Sequence, residues 1–274
     1  MTPDVNLADA LSTVREEQPL VNCLTNVVTV NEVANVTLHW GGLPVMSDDE
    51  REVSDMVAIA DGCLLNMGTV SERGEEAMVT AGEAANEHGV PVVVDPVGVG
   101  ATPTRDRVAE RLVTELEPAV INGNYGEITA LSGDDAEVRG VESVGEYADI
   151  AANATALADQ TGAVVVASGE VDIVATAEEA YRVEVGHEML STVVGTGCML
   201  GVTLAVFAGA LGDDAEAALA GTAAFGLAGE AAAAGEYGDY AGPGSFETAF
   251  RDAVADFDGE DADAGDRIEA VATE

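Results

Sequence analysis

The chain has 274 residues, 47% of them hydrophobic, which is ample for a sizeable core in one large domain or two small ones. Its 51 acidic residues stand against 10 basic ones, all arginine, for a net charge of -41; this excludes a basic nucleic-acid footprint, and the lack of lysine excludes a Walker-type phosphate loop and Schiff-base chemistry. An acidic, lysine-free surface over an ordinary apolar interior reads as adaptation to concentrated salt, where self-repulsion is screened, rather than as an acidic disordered protein.

Residues 1–18 carry Asp4, Asp9, Glu16 and Glu17 where a signal peptide needs a basic and then an apolar stretch. Residues 4–17 read as a helix, and residues 19–24 as a buried strand ending in Thr25 and Asn26. A helix over 27–40, closed by Gly41 and Gly42, precedes a short strand at 43–46, a helix at 53–60 and a strand at 63–67. Residues 71–88 are helical, with Glu72 and Glu75 in the first turn and Gly89 as the stop, and a strand at 90–94 delivers Asp95. Helices at 106–116, 125–131 and 145–161 continue the alternation around a strand at 119–121. This is the rhythm of a parallel sheet covered by helices on both faces. Strands at 163–167, 172–176 and 181–185 lie close enough in sequence for antiparallel pairing at one sheet edge.

No residue from 193 to 212 is charged, so a helix over 198–211 is expected to be buried on every side, its N-terminus included. An alanine-rich helix at 215–234 and a last one at 245–256 complete a single domain over 1–257, and residues 258–274 read as an acidic, solvated tail. Cys23, Cys63 and Cys198 share no short spacing, which fits a reducing compartment without a disulfide frame or zinc ribbon. The apolar runs are too short or too broken for a membrane span. A soluble, cytoplasmic protein is expected.

Ligands of open α/β sheets collect beyond the carboxyl ends of the strands. There the chain places Asp95 at the head of a proline and glycine loop, Asn122, Asn124 and Glu127 after the strand at Ile121, and Ser168 with Gly169 after Ala167. Each has a structural explanation: a turn cap for Asp95, a first-turn carboxylate for Glu127, a hairpin for Ser168 and Gly169. Together, Asp95 and Glu127 at adjacent strand ends suit Mg2+, held directly or through water with phosphates completing the shell. Gly195-Thr196-Gly197-Cys198 opens the apolar helix. It offers backbone N–H groups and the positive end of the helix dipole to an anion such as a transferring phosphoryl group. Its other reading is a glycine turn with Cys198 as a small buried side chain.

In order along residues 19–257, the chain carries Pro19-Leu20-Val21 with Thr25-Asn26, Pro44-Val45-Met46, Leu65-Asn66-Met67-Gly68-Thr69, Val94-Asp95-Pro96-Val97-Gly98-Val99-Gly100-Ala101, Gly123-Asn124 with Glu127, Ser168-Gly169-Glu170-Val171-Asp172, Gly195-Thr196-Gly197-Cys198 and Gly242-Pro243-Gly244-Ser245-Phe246. This set resembles the hydroxyethylthiazole kinases, thiamine-salvage enzymes of the ribokinase-like fold. The resemblance implies a three-layer α/β fold with a mostly parallel central sheet, helices on both faces and some antiparallel edge strands. It implies ATP-dependent phosphorylation of the primary alcohol of 4-methyl-5-(2-hydroxyethyl)thiazole, with Mg2+, in a homotrimer whose active sites lie between subunits. Asn26, Met46, Gly68 and Gly195 then match the thiazole pocket, Asp95 and Glu127 the metal and phosphate region, and Asn122 and Ser168 the ATP contacts. Cys198, beside Gly195, Thr196 and Gly197, stands where ribokinase-like enzymes generally carry an aspartate base.

A helix N-terminus lowers a thiol pKa, yet phosphoryl transfer asks more of positioning and charge neutralisation than of a base. Asn122 departs from the family, which typically has arginine there. Three accounts stand: potassium or a nearby arginine such as Arg105 substitutes, the neutral amide suffices, or nucleotide binding is weak. Asn22, where histidine is common, and Ser168, where threonine is common, are milder departures. A different ribokinase-like activity would call for aspartate at Cys198. A non-catalytic thiazole or nucleotide binding protein is the alternative that Asn122 leaves open.

Overall fold

Runs of valine, leucine and isoleucine bounded by glycine, proline and asparagine form the strands of a computed structural model that describes residues 5–133, 147–259 and 264–271. These are β1 (Leu20–Leu24), β2 (Leu43–Val45), β3 (Gly62–Asn66), β4 (Val92–Asp95), β5 (Val120–Asn124), β6 (Val164–Ser168), β7 (Asp172–Ala175), β8 (Ala180–Val183) and β9 (Ile268–Val271). They make one sheet in the order β2-β1-β3-β4-β5-β6-β7-β8-β9. Pairing is parallel from β2 through β6 and antiparallel from β6 through β9.

Helices cover both faces of the parallel part, so its strands are buried at almost every position, with apolar runs that give way to polar residues only toward their carboxyl ends. Leu64, Val93, Val120 and Val166 point to one core, and Leu65, Val92, Val94, Ile121 and Val165 to the other. The first core is closed by α1 (Leu7–Glu17), α2 (Val30–Trp40), α8 (Thr196–Leu211), α9 (Asp214–Ala233) and α10 (Pro243–Asp256). The second is closed by α3 (Val53–Val57), α4 (Glu72–His88), α5 (Pro103–Thr114), α6 (Tyr125–Ser132) and α7 (Tyr147–Thr161).

The apolar helix α8 lies on β1, β3, β4 and β5 beneath α1, α2 and α9, with residues 198–208 all buried. It can come this close because Gly62 has no side chain; a Cβ there would sit 2.6 Å from the Ala205 carbonyl oxygen. Trp40 donates its Nε1–H to Thr203 Oγ1 at 2.8 Å and meets Phe207 edge-on at 5.7 Å, which makes it a packing residue.

Several expected boundaries move. Helix α2 starts at Val30, because Asn26 caps a turn before it, and α5 starts at Pro103, a favoured first helical position, after the cap Thr102. Strand β5 runs on through Asn124, so Asn122 lies inside the strand and not beyond it. The start of the helix expected at 145 lies outside the described residues.

The expected solvated tail is corrected over 264–271. There β9 pairs antiparallel with β8, Ile268 is fully buried, and Arg267 forms an ion pair with Glu230 at 2.6 Å. Acidic composition concealed a short strand whose partner lies far back in the chain. Among the described residues no helix is long and apolar enough to cross a membrane.

Candidate active site

The start of α8 differs from its interior. Gly195 is the N-cap at φ +91°, and a Cβ there would lie 2.4 Å from Thr29 Cγ2, so glycine is required both by backbone conformation and by space. No side chain caps the helix. The first-turn N–H groups of Thr196, Gly197 and Cys198 have no intrahelical acceptor. Gly197 is exposed, Gly195 and Thr196 are half-buried, and burial begins at Cys198. The expectation of a buried N-terminus is therefore corrected: the chain rises to the surface just before the helix, and the first turn opens toward solvent.

A chain of amides runs inward from this turn. Asn26 uses Oδ1 to accept the N–H groups of Val28 and Thr29 at 3.0 and 3.1 Å, which turns its Nδ2 into the site. That nitrogen reaches Thr29 Oγ1 at 2.9 Å, Asn66 Oδ1 at 2.9 Å and Cys198 Sγ at 3.4 Å. Asn66 also accepts the Gly68 N–H at 3.0 Å and donates to Asp95 Oδ2 at 2.5 Å. The structure thus brings Asn26, Gly68, Asp95, Gly195, Thr196, Gly197 and Cys198 into one cluster.

Burial pushes the Asp95 carboxyl well above the usual carboxylate range and the charge of Glu127 adds to this, against the bond from Asn66. Burial also raises the Cys198 thiol, the charge of Asp95 raises it further, and bonds with Thr29, Asn66 and Asn26 oppose the rise. The direction is contrary to that expected from the helix dipole alone.

The remaining expected residues lie around this cluster. Asn122 is 1% exposed, and its Nδ2 donates to the Gly197 carbonyl at 3.2 Å while its buried Oδ1 has no hydrogen-bond partner among the described residues. It braces the first turn of α8 from below. Glu127 sits in the first turn of α6 in a capping box with Asn124, and its other oxygen accepts the Gly98 N–H at 2.7 Å. Burial raises its pKa, against the Gly98 and Asn124 bonds and the charge of Arg105. Ser168 ends β6 opposite Asn124 and donates to the Gly123 carbonyl at 3.3 Å. The half-buried Met46 follows β2 without a hydrogen bond to the cluster.

Arg105 donates from Nη1 to the carbonyls of Val97 and Met67 and from Nη2 to that of Gly68, so it staples two strand-end loops together. Both Nη groups of Arg105 are thereby committed to backbone carbonyls. Three residues without an expected role matter here: Asn66, Thr29, and Asn22, whose amide pairs with the backbone of Ser47 beside Met46. Asn66 had one visible signal, its place at the end of an apolar strand like that of Asp95.

The fold and the site define a ribokinase-like α/β protein with an open helix start above a buried amide and carboxylate cluster. A family model described as the hydroxyethylthiazole kinase family matches residues 11–260. The chain is 64% identical over 269 residues to the hydroxyethylthiazole kinase of Natronomonas pharaonis, across 97% of this chain and 96% of that one. It is 65% identical to the one from Haloquadratum walsbyi, across 92% of this chain and 87% of that one. The solved structure of a hydroxyethylthiazole kinase protein from Pyrococcus horikoshii superposes with a TM-score of 0.86 at 33% identity, covering 97% of this chain and 99% of that one. A ribokinase-like superfamily protein from Enterococcus faecalis, 14% identical with a TM-score of 0.62 over 93% of this chain and 90% of that one, shares the fold alone. The chain belongs to the hydroxyethylthiazole kinase family.

Proposed function

We propose that the protein transfers the terminal phosphoryl group of ATP to the primary hydroxyl of 4-methyl-5-(2-hydroxyethyl)thiazole, in the cytoplasm, as a step of thiamine salvage. The observation that carries this reading is the uncapped, open first turn of α8 directly above the Asn26, Asn66 and Asp95 chain, in a member of this kinase family. Asn26, Met46, Gly68 and Gly195 hold the thiazole; Asn122 and Ser168 stand on the ATP side, with Asn122 acting through the Gly197 carbonyl.

In the reaction the alcohol oxygen forms a bond to the γ-phosphorus, the bond to the β-phosphate oxygen breaks, and the hydroxyl proton is released. Charge spreads over the equatorial phosphoryl oxygens, where positioned donors count most. The N–H groups of Thr196, Gly197 and Cys198 supply such donors. Burial and the charge of Asp95 raise the Cys198 pKa, which favours thiol over thiolate, so on this reading the weight falls on the backbone donors rather than on Cys198 as a base.

Mg2+ fits the residues present. Among the described residues no three His, Cys, Asp or Glu side chains gather to hold a metal, and Mg2+ ordinarily takes one or two carboxylates and completes its shell with phosphate and water. Asp95 would hold it directly and Glu127, whose oxygens already accept backbone N–H groups, through water. When bound, the ion neutralises phosphate charge.

The homotrimer expected of the family has a surface to form on. Val27, Val28 and Val194 are 77%, 66% and 76% exposed, and they flank Thr29 and Gly195, which pack against each other at the site. Sedimentation in molar KCl should give a mass three times that of one chain; a monomer mass would refute the trimer.

The reaction itself is tested with purified protein, Mg-ATP and the thiazole alcohol in molar KCl, following the phosphate ester. Formation of ester and ADP in equal amounts is expected. Thiazole or nucleotide binding without turnover would instead favour a binding protein.

A further inference from the structure

Asn66 ends β3 and stands in register with Asp95 across the β3 and β4 ladder. It is 3% exposed, and its amide is engaged at both ends. Oδ1 accepts from Asn26 Nδ2 at 2.9 Å and from the Gly68 N–H at 3.0 Å, while Nδ2 donates to Asp95 Oδ2 at 2.5 Å. The oxygen therefore holds two residues of the thiazole side, and the nitrogen holds a carboxylate of the phosphate side. We propose that Asn66 is a positioning residue that ties these two halves together and fixes the separation across which the hydroxyl meets the phosphoryl group. This rests on the reaction proposed above.

The task requires an amide. A carboxamide presents an acceptor and a donor from one planar group, whereas a carboxylate only accepts. The bond to Oδ2 fixes the rotation of the Asp95 carboxyl, as outer partners do for ligating carboxylates generally. On the other side, Asn26 is already braced by two backbone N–H groups and by Thr29, so its orientation passes to Cys198 at 3.4 Å. Movement anywhere along this chain changes the approach of the two reactants, and a misplacement of ~1 Å can cost on the order of 10²-fold in rate.

The test compares wild type, Asn66→Asp and Asn66→Ala with Mg-ATP and the thiazole alcohol in molar KCl. It reads kcat, both KM values, and the Kd of the thiazole alcohol without nucleotide. Asn66→Asp is nearly isosteric and keeps the acceptor for Asn26 and Gly68, but it replaces the N–H donated to Asp95 by a carboxyl oxygen, so the two acidic groups repel unless they share a proton. It should lower kcat about 10²-fold while leaving the thiazole Kd within about threefold of wild type. Asn66→Ala loses both halves and should raise that Kd about tenfold as well. An Asn66→Asp enzyme with wild-type kcat, or one whose thiazole affinity falls as far as its kcat, overturns the proposal while the reaction stands. A wild type that leaves the thiazole alcohol unphosphorylated overturns the reaction first and this inference with it.

Discussion

A thiol at the third position of a helix would ordinarily gain acidity from the dipole, but the burial of Cys198 and its nearness to Asp95 work the other way. On the proposed reading the burden at this turn falls on the backbone. Cys198→Ala is expected to lower kcat by less than about tenfold, short of the ~10² to 10⁴ that a general base contributes. Gly197→Pro removes a backbone donor and should cost about 10²- to 10³-fold. No atom lies within 4 Å of a Cβ built at residue 197, so Gly197→Ala, which keeps the N–H, should retain turnover and serves as the control. Steady-state kinetics of the three variants decides; loss of turnover in Cys198→Ala with retention in Gly197→Pro would reverse the ranking. Asn22 acts at the same scale. Fully buried, it donates to the Ser47 carbonyl and accepts the Ser47 N–H, both at 3.2 Å, continuing the β1 and β2 pairing past Val45 and fixing the segment that carries Met46. Asn22→Leu strands both backbone groups of buried Ser47. It should cost about 1–3 kcal/mol in urea unfolding and raise the KM for the thiazole while leaving that for ATP unchanged.

Helices α4 and α5 are joined through one buried carboxylate. Glu75 Oε1 accepts from Arg107 at 2.6 Å and Arg111 at 2.9 Å, and Oε2 from Arg107 at 2.8 Å. The Arg107 bond, with Arg111 behind it, lowers the Glu75 pKa from 4.5 to about 2 against the effect of burial. A carboxyl more acidic in the folded than in the unfolded chain contributes stability that is complete above about pH 4.5 and is lost as the pH falls toward about 2. Because Arg107 is 57% exposed, Glu75→Gln should cost about 2 kcal/mol near pH 7, less than the ~3–5 kcal/mol of breaking a fully buried pair. Urea unfolding should show the gap to wild type narrowing below pH 4.5; a gap independent of pH would mean that shape and not charge holds these helices. From sequence, Glu75 is legible as a first-turn carboxylate, but its partners lie 32 and 36 residues away on another helix. The same division runs through the molecule. The parallel strands are legible because burial on both faces makes their apolar runs continuous, and Asp95 is legible because it ends such a run before proline. The place of Asn66 in a strand is legible too, but its role is not, since only the register sets it opposite Asp95. Nor is β9, in which Ile268 alone is buried and pairing with a distant strand supplies the structure. The open start of α8 is hidden for a related reason: composition reports that a helix is buried, not where the chain enters it.

At the scale of the whole molecule the arginines among the described residues are already engaged. Arg51, Arg73, Arg107, Arg111, Arg182, Arg251 and Arg267 pair with carboxylates, while Arg15 and Arg105 donate to backbone carbonyls. With 51 acidic residues in the chain, most carboxylates have no cation to face, and the net charge of -41 repels itself across the surface. Added salt acts in two opposing ways. It weakens exposed ion pairs, each worth ~0–1 kcal/mol, and it screens the repulsion, as the Debye length falls from ~10 Å at 0.1 M to ~3 Å at 1 M. The second effect should win, because unpaired carboxylates far outnumber the paired ones. Relief of ~3 kcal/mol would raise the thermal midpoint of a chain this long by roughly 6–12 °C. Calorimetric scans between 0.1 M and 2 M KCl should show a rise of at least that order, with NaCl equivalent at equal ionic strength. A midpoint indifferent to salt would remove self-repulsion from the account, and a rise in KCl but not in NaCl would replace screening with a specific potassium site.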